Sequence, residues 1–413
     1  MNIWIVNPYG TLPREGWREY RSAQLARALA KRKHRVTWWL SNFEHRSKTY
    51  RSNQLTKMGL PDGVNVVLVD APAYQKNISF GRIFYEIKFG ENFYHLAKEY
   101  PPPDLIVLAH PPLFSDKPVV KYAKERQIKL VVDVFDLWPE LFSVVIPKPI
   151  RKLGVFLFSP LRSRRDKLIS NADGVVALTA DYFDVVMKDL TKNEKKTLTV
   201  YVGVDIKKFD QDAKKKTSSL FPKKWVNSTG PMTIICAGTL GDAYDLPTVA
   251  QAMRDLIQSD INVRLLVAGD GPKKNIFELL EKEFPDHVAY IGSVDAKHLP
   301  SLYRKCDIGL CSYAKGSTVY MPTKFYDYLA AGVAILNSLD GEIKRLVSKG
   351  AGKNYSAGSA TSLAEAITTF VKDKKLLAKS KKFSFKLREK FDSVREYEKY
   401  SKFIETIFND GSN

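Results

Sequence analysis

Short apolar runs alternate along this chain with longer stretches of helical periodicity, and the alternation occurs twice. In the first half the runs lie at 2–6, 35–40, 64–69, 104–109, 129–134, 174–178 and 198–202. Between the first two, from Arg18 to Arg32, Leu25, Ala28 and Leu29 recur at helical spacing. Near-continuous apolar strands followed by amphipathic helices suit a parallel sheet covered on both faces rather than a β-sandwich. Residues 206–230 interrupt the pattern with a Lys/Ser/Pro-rich stretch, Asp212-Ala213-Lys214-Lys215-Lys216-Thr217-Ser218-Ser219 at its centre. The alternation resumes at Met232–Ala237, with further strands expected at 263–268, 288–291, 307–311 and 333–336. From Leu376 to Phe408 the chain reads as helical and highly charged. The fold class is therefore α/β, with two Rossmann-like doubly wound domains and a cleft between them. Ligands are expected outside the carboxyl ends of the strands.

Composition narrows the classes. The chain has 413 residues, 44% hydrophobic and 12% aromatic, enough for large cores. No run of 18 apolar residues occurs, so a membrane-spanning helix is not expected. Met1-Asn2-Ile3-Trp4-Ile5-Val6-Asn7 reads as a strand entering a loop, without signal-peptide features, and a cytoplasmic location is expected. Cys236, Cys306 and Cys311 each sit in or beside an apolar run, so they read as buried thiols and not as a disulfide framework or zinc site.

The formal charge is +20, and residues 1–200 supply +12 of it, 32 Lys and Arg against 20 Asp and Glu. Such a balance calls for an anionic partner. Recognisable RNA- or DNA-binding motifs are missing, so specific nucleic-acid recognition is not expected. From Val144 to Ser170, seven basic residues (Lys148, Arg151, Lys152, Arg162, Arg164, Arg165 and Lys167) flank Val155-Phe156-Leu157-Phe158 against one acid, Asp166. This stretch suits an anionic membrane surface, or else a core helix with a basic outer side.

The candidate chemistry lies at strand ends. Met321-Pro322-Thr323-Lys324-Phe325-Tyr326-Asp327-Tyr328-Leu329-Ala330-Ala331-Gly332 sits between two strand-like runs. It places a lysine, an acid three residues on and helix amides where a phosphate and a sugar hydroxyl can be held together. An ordinary crossover helix with an exposed lysine is the plain alternative. Gly238-Thr239-Leu240-Gly241 and Gly269-Asp270-Gly271-Pro272, the second followed by Lys273 and Lys274, are glycine-rich turns after strands and suit a phosphate. In the first half, Asn7-Pro8-Tyr9-Gly10 leads to Gly16, and both glycines allow close approach of a ligand. The spacing is neither the dinucleotide fingerprint nor a Walker motif. His110 ends one strand and reads as a positioning residue. Asp136, in Asp136-Leu137-Trp138-Pro139-Glu140, reads as a general base for an acceptor hydroxyl, or else as a helix cap or a loop ion pair.

These residues resemble the retaining glycosyltransferases of family 4, which have the GT-B fold, in a bacterial polysaccharide and O-antigen branch. The resemblance runs nearly end to end. It rests on the Asp136–Glu140 stretch, Val202-Gly203-Val204-Asp205 with Phe209, Ala237–Leu240, Ala268–Pro272, Tyr290-Ile291-Gly292-Ser293-Val294 and Pro322–Gly332. It implies an acceptor domain at 1–205, a nucleotide-sugar domain at 206–385 and a tail at 386–413 that returns to the first domain. The donor is expected to be a nucleoside diphosphate sugar, UDP favoured over GDP. The acceptor is expected to be a glycan or a lipid-linked glycan, reached at the inner face of the cell membrane. No resident cofactor or metal is implied. Asp136, Lys324 and His110 fall at catalytic positions, and Gly16, Gly238, Thr239, Leu240, Gly269, Gly271, Lys274, Ile291, Tyr320, Thr323 and Asp327 at donor-binding ones. Three departures stand out. The first acid of the family's pair falls on Val319, its Arg and Lys after the glycine fall on about Thr239 and Tyr244, and the linker Asn is missing. A catalytically inactive binding subunit is therefore the alternative.

Overall fold

The computed structural model describes residues 1–13, 15, 21–51, 57–140, 142, 156–188, 195–215, 220–226 and 230–410. The chain divides into two units, 1–202 with 394–413, and 203–393. The division thus falls at 202/203 and 393/394, against the expected 205/206 and 385/386.

The first unit is built on strands β1 (Asn2–Val6), β2 (Arg35–Ser41), β3 (Phe43–Glu44), β4 (Thr49–Tyr50), β5 (Lys57–Gly59), β6 (Asn65–Val69), β7 (Leu105–His110), β8 (Lys129–Val134), β9 (Gly174–Ala177) and β10 (Lys196–Thr199). Its sheet runs β10-β9-β8-β7-β1-β2-β6-β5, parallel except for β5 at the edge, while β3 and β4 form a separate hairpin. The central strands β1, β6, β7, β8 and β9 are mostly apolar and buried because helices cover both faces. Ile3, Ile5, Val107 and Val131 pack with Leu25 and Leu29 of the helix Arg21–Lys31. The terminal helix Ser393–Asn409 adds Tyr397, Tyr400, Ile404 and Ile407 to the same core. A buried Arg21–Asp133 pair at 2.7 Å lies beneath it.

The second unit carries β11 (Met232–Ala237), β12 (Val263–Ala268), β13 (Val288–Tyr290), β14 (Ile308–Cys311), β15 (Ala334–Asn337) and β16 (Gly352–Asn354), all parallel, in the order β13-β12-β11-β14-β15-β16. This is the doubly wound order with the chain reversing direction across β11. The first unit repeats the scheme across β1. Two topological switch points follow, between β11 and β14 and between β1 and β7, and they fix where each unit opens a crevice. All three cysteines are free and buried.

One expectation needs correction: the final apolar run of the first unit forms a strand at 196–199 rather than 198–202. The tail is helical, as expected, and is divided. It consists of Lys374–Leu387, a 3-10 turn at Arg388–Phe391, and Ser393–Asn409. The break comes where residues 391–393 lie beside the linker. Val204 N donates to Phe391 O at 3.0 Å and Ser393 N to Val204 O at 3.0 Å. Gly203, at φ +62°, makes room for this, since a Cβ there would lie 2.5 Å from Phe391 O.

Candidate functional site

In the second unit, the helix Thr323–Ala331 starts after the extended Pro322 and has no side-chain cap. Its first amides therefore have no partner within the helix and point out of its N-terminus. It ends at Gly332, in the left-handed conformation. Gly309 on β14 lets the helix pack close, because a Cβ there would lie 2.5 Å from the Tyr328 ring.

Lys324 projects from the first turn of this helix to the switch point. Its ammonium is 4.2 Å from the Tyr244 ring centre and 5.4 Å from that of Tyr313. A Cβ placed on Gly238, at the end of β11, would be 3.4 Å from Nζ. The residue is only 9% exposed, and no carboxylate pairs with it among the described residues. The aromatic faces offset part of the charge, on the order of 2 kcal/mol when desolvated. Burying a cation costs far more unless it is fully paired. The arrangement is thus electrostatically incomplete and suited to an anion. Tyr244 and Tyr313 are held in place by Ala314 N donating to Ala243 O at 3.1 Å and Tyr313 N to Ser338 Oγ at 2.8 Å. Lys273 and Lys274 are less available. Lys273 pairs with Asp242 at 2.7 Å, and Lys274 lies 3.9 Å from both Asp270 and Glu278.

The two glycine turns are spent largely on each other. Gly238 N donates to Ala268 O at 2.9 Å, Leu240 N to Asp270 O at 2.9 Å and Gly269 N to Gly292 O at 2.7 Å. Gly271 N donates to Asp270 Oδ1 at 2.8 Å. A Cβ on Gly269 would lie 1.9 Å from Gly238 O, and one on Gly271 2.5 Å from Leu240 O. Gly269 and Gly271 therefore serve the close packing of the two turns, and their amides are not aimed at a ligand. Leu240 is 1% exposed and belongs to the core. What remains at the surface is Gly238 and Thr239, with the Thr239 and Gly241 amides unpartnered among the described residues. Ile291, its amide bonded to Val267 O at 3.0 Å, stands half-buried at the end of β13. Tyr320 and Thr323 are half-buried around the helix start, and Asp327 is 7% exposed within the helix. Gly16 lies outside the described residues.

In the first unit, His110 ends β7 at the switch point. It is 1% exposed, its Nε2 lies 3.4 Å from Trp138 O, and its Nδ1 has no partner among the described residues. Burial pushes the imidazole down to about 4, so it is neutral at pH 7. Asp136 follows β8, half-buried, and its Oδ1 accepts from Leu137 N at 3.1 Å. Burial raises its carboxyl to about 6, the range of a general base that works near neutral pH. The Trp138 ring carries the Arg82 guanidinium at 4.2 Å. Arg82 in turn donates to the Tyr9 hydroxyl at 3.0 Å, and Tyr9 donates to Glu86. Glu86, 1% exposed, also accepts from the Leu113 and Phe114 amides at 3.0 Å. Burial raises its carboxyl. Arg82 and Glu86 are absent from the sequence reading, and Tyr9 enters it only as part of the Asn7–Gly10 loop, without a role. The signal was there: Arg82 and Glu86 stand four apart at the start of the helix Phe80–Leu96, one face of a turn.

Two arginines of the basic stretch are engaged within the fold. Arg165 is buried and bonded to Glu140 at 2.7 Å and Asp166 at 2.9 Å. Arg164 pairs with Asp116 and lies over the Phe114 ring at 5.2 Å. These arginines hold the helix Ser159–Ser170 to its neighbours rather than facing a surface. Phe156 and Leu157, 79% and 67% exposed, do face solvent. Residues 143–155 lie outside the described residues.

Residues 218–387 match the family model of glycosyl transferases group 1. A search of curated proteins finds no match. Among solved structures, sucrose-phosphate synthase from Thermosynechococcus elongatus aligns with a TM-score of 0.74 at 15% identity over 99% of each chain. Anabaena HepE in complex with UDP aligns at 0.67 and 17% identity, over 98% of this chain and 100% of that one. WaaG, a glycosyltransferase involved in lipopolysaccharide biosynthesis, aligns at 0.64 and 14% identity, over 98% and 99%. The chain thus has the fold of the GT-B glycosyltransferases, two Rossmann-like units, with a match to glycosyl transferases group 1 in the second.

Proposed function

We propose that the protein is a glycosyltransferase that moves a hexose-type unit, with retention, from a nucleoside diphosphate sugar to a hydroxyl of a glycan or lipid-linked glycan in cell-surface polysaccharide synthesis. The observation that carries this reading is the buried, unpaired Lys324 ammonium beside Gly238 at a switch point. A diphosphate there would receive the lysine, the Thr239 and Gly241 amides and the N-terminus of the helix Thr323–Ala331. These groups would offset the charge of the leaving diphosphate without a resident metal. In this reading Ile291 and Tyr320 border the nucleoside, and Asp327 serves the ribose. Asp136 takes the proton of the acceptor hydroxyl, and His110 positions the Trp138 loop beside it. UDP is the favoured nucleotide, in line with the UDP complex of the similarly folded HepE.

UDP added in the presence of EDTA is expected to raise the melting temperature more than GDP does. At a concentration 100-fold above Kd the stabilisation is about 2.7 kcal/mol. If neither nucleotide moves the transition, there is no donor site of this kind. Release of free sugar from a UDP-sugar by the purified protein separates an enzyme from an inactive binding subunit.

Membrane contact at the inner leaflet is part of the same proposal, now carried by Phe156 and Leu157 and not by the paired arginines. Among the described residues no helix is long and apolar enough to cross a membrane. Replacing Phe156 and Leu157 by Ser is expected to release the protein from anionic liposomes in a flotation assay. Transfer to a water-soluble acceptor should persist, because both side chains face solvent. Flotation that is unchanged in this variant would rule out the anchor.

A further inference from the structure

Loops at the carboxyl edge of the first unit bring two cations together without an acid to balance both. Lys48 lies in the turn of the β3–β4 hairpin and Arg82 in the first turn of the helix Phe80–Leu96. Both anchor on one residue. Lys48 Nζ donates to the Asn77 side-chain oxygen at 2.7 Å, and Arg82 Nη1 to the Asn77 carbonyl at 3.0 Å. The Lys48 ammonium stands 4.0 Å over the Tyr74 ring, and the Tyr74 hydroxyl is hydrogen-bonded to His45 Nδ1. The His45 ring is 4.9 Å from that of Tyr9, which accepts from Arg82. Five polar side chains from four segments therefore close on one spot.

The nearby carboxylates make no ion pair with Lys48 among the described residues, although Glu44, whose Oε1 is buried without a hydrogen bond, offsets part of its charge. Glu44 accepts from the Arg46 amide at 2.9 Å and from the Ser47 amide. Glu86 is occupied by Tyr9 and two amides, and only a long contact of 3.5 Å links it to Arg82. Lys48 has no carboxylate partner among the described residues. Burial and the Arg82 charge lower its ammonium. Burial and the surrounding cations, Lys48 first among them, hold the His45 imidazole down to about 4. Like charges held this close are unfavourable until an anion joins them.

We propose that Lys48, Arg82, His45, Tyr74 and Tyr9 bind an anionic group, phosphate or carboxylate, carried by the acceptor. The assignment to the acceptor rests on the reading of the first unit given above. Arg82 continues onto Trp138, two residues after Asp136, so the anion would sit on the edge that carries the candidate base. The acceptor would then be selected by an acidic substituent near the reacting hydroxyl.

Calorimetry on the full chain, with UDP present in excess to fill the donor site, tests this. The probes are glucose 6-phosphate, glucuronate and glucose. At least one of the two anions should bind tenfold or more tightly than glucose, and which one does separates phosphate from carboxylate recognition. Lys48→Gln should remove about tenfold of that preference, and Lys48→Arg should restore part of it. UDP affinity should be the same in all three proteins. Equal binding of the anions by wild type and Lys48→Gln would overturn the proposal. So would anion binding lost in Lys324→Ala alone, which would place the anion in the second unit and leave the donor reading intact. If UDP itself does not bind, the functional reading fails, while the comparison of anions with glucose without UDP still decides for or against this site.

Discussion

Replacing Asp136 by Asn is expected to lower turnover by about two orders of magnitude while UDP affinity stays near the wild-type value. General base catalysis is worth roughly 10²–10⁴-fold, and an amide cannot accept the acceptor proton. Asn keeps the shape and still accepts from Leu137 N, so the loop geometry should survive. The pH profile supplies a second readout. The carboxyl is raised by burial to about 6, so it is protonated and inactive below that pH. Turnover should rise with pH through about 6 and then level off, and Asp136→Asn should lose this limb. The stability effect has the opposite sign. A folded-state value above the ordinary carboxylate range means that stability is complete at low pH and is lost as pH rises through the window up to about 6. Asp136→Asn should therefore melt higher than wild type at pH 8, with the gain shrinking toward pH 4. A fall in donor affinity equal to the fall in turnover would assign Asp136 to the donor site or to the fold.

Much of the architecture was legible because its strands are covered on both faces. Runs such as Val66–Val69 and Ile234–Ala237 are apolar throughout, and such runs separated by helical periods admit few arrangements. The short elements left no such trace. β5 and β16 contain Lys57, Gly59, Gly352 and Asn354, and they are strands only because a longer neighbour offers them a ladder. At the candidate sites, the position of Lys324 could be read from its place after a strand, but the fate of the turn amides could not. That depends on two backbone segments packing within van der Waals contact, a property of the folded turns and not of their glycine content. The arginines of the helix Ser159–Ser170 show the same limit. Their density suggested a charged surface, yet Arg164 finds Asp116 and Arg165 finds Glu140, 48 and 25 residues away in the chain. Sequence proximity shows a run of charge, whereas neutralisation is decided by tertiary neighbours.

Lys324→Ala should weaken UDP binding by about 1.5–3 kcal/mol, on the order of 10–100-fold, the range for losing a charge-assisted contact. Among the described residues of the second unit, no other unpaired cation stands beside Lys324 to take over. Lys273 and Lys274 face Asp242, Asp270 and Glu278, and Thr239 and Tyr244 beside Gly238 carry no charge. The loss should follow the phosphates. UDP should weaken most, UMP less and uridine least, because the nucleoside has no charge for the ammonium to meet. Folding should respond differently from binding. The ammonium is buried against two aromatic faces without a carboxylate, so its removal forfeits a cation–π contact but also relieves an unpaired buried charge. The two contributions oppose each other, and the melting temperature of the unliganded variant should shift far less than its UDP affinity. Lys324→Arg, which keeps the charge in a larger planar group, should fall between the two. Equal UDP affinity in wild type and Lys324→Ala by calorimetry would make Lys324 a packing residue of the helix Thr323–Ala331. A uniform loss across UDP, UMP and uridine would point instead to collapse of the Tyr244–Tyr313 wall that the lysine stem supports.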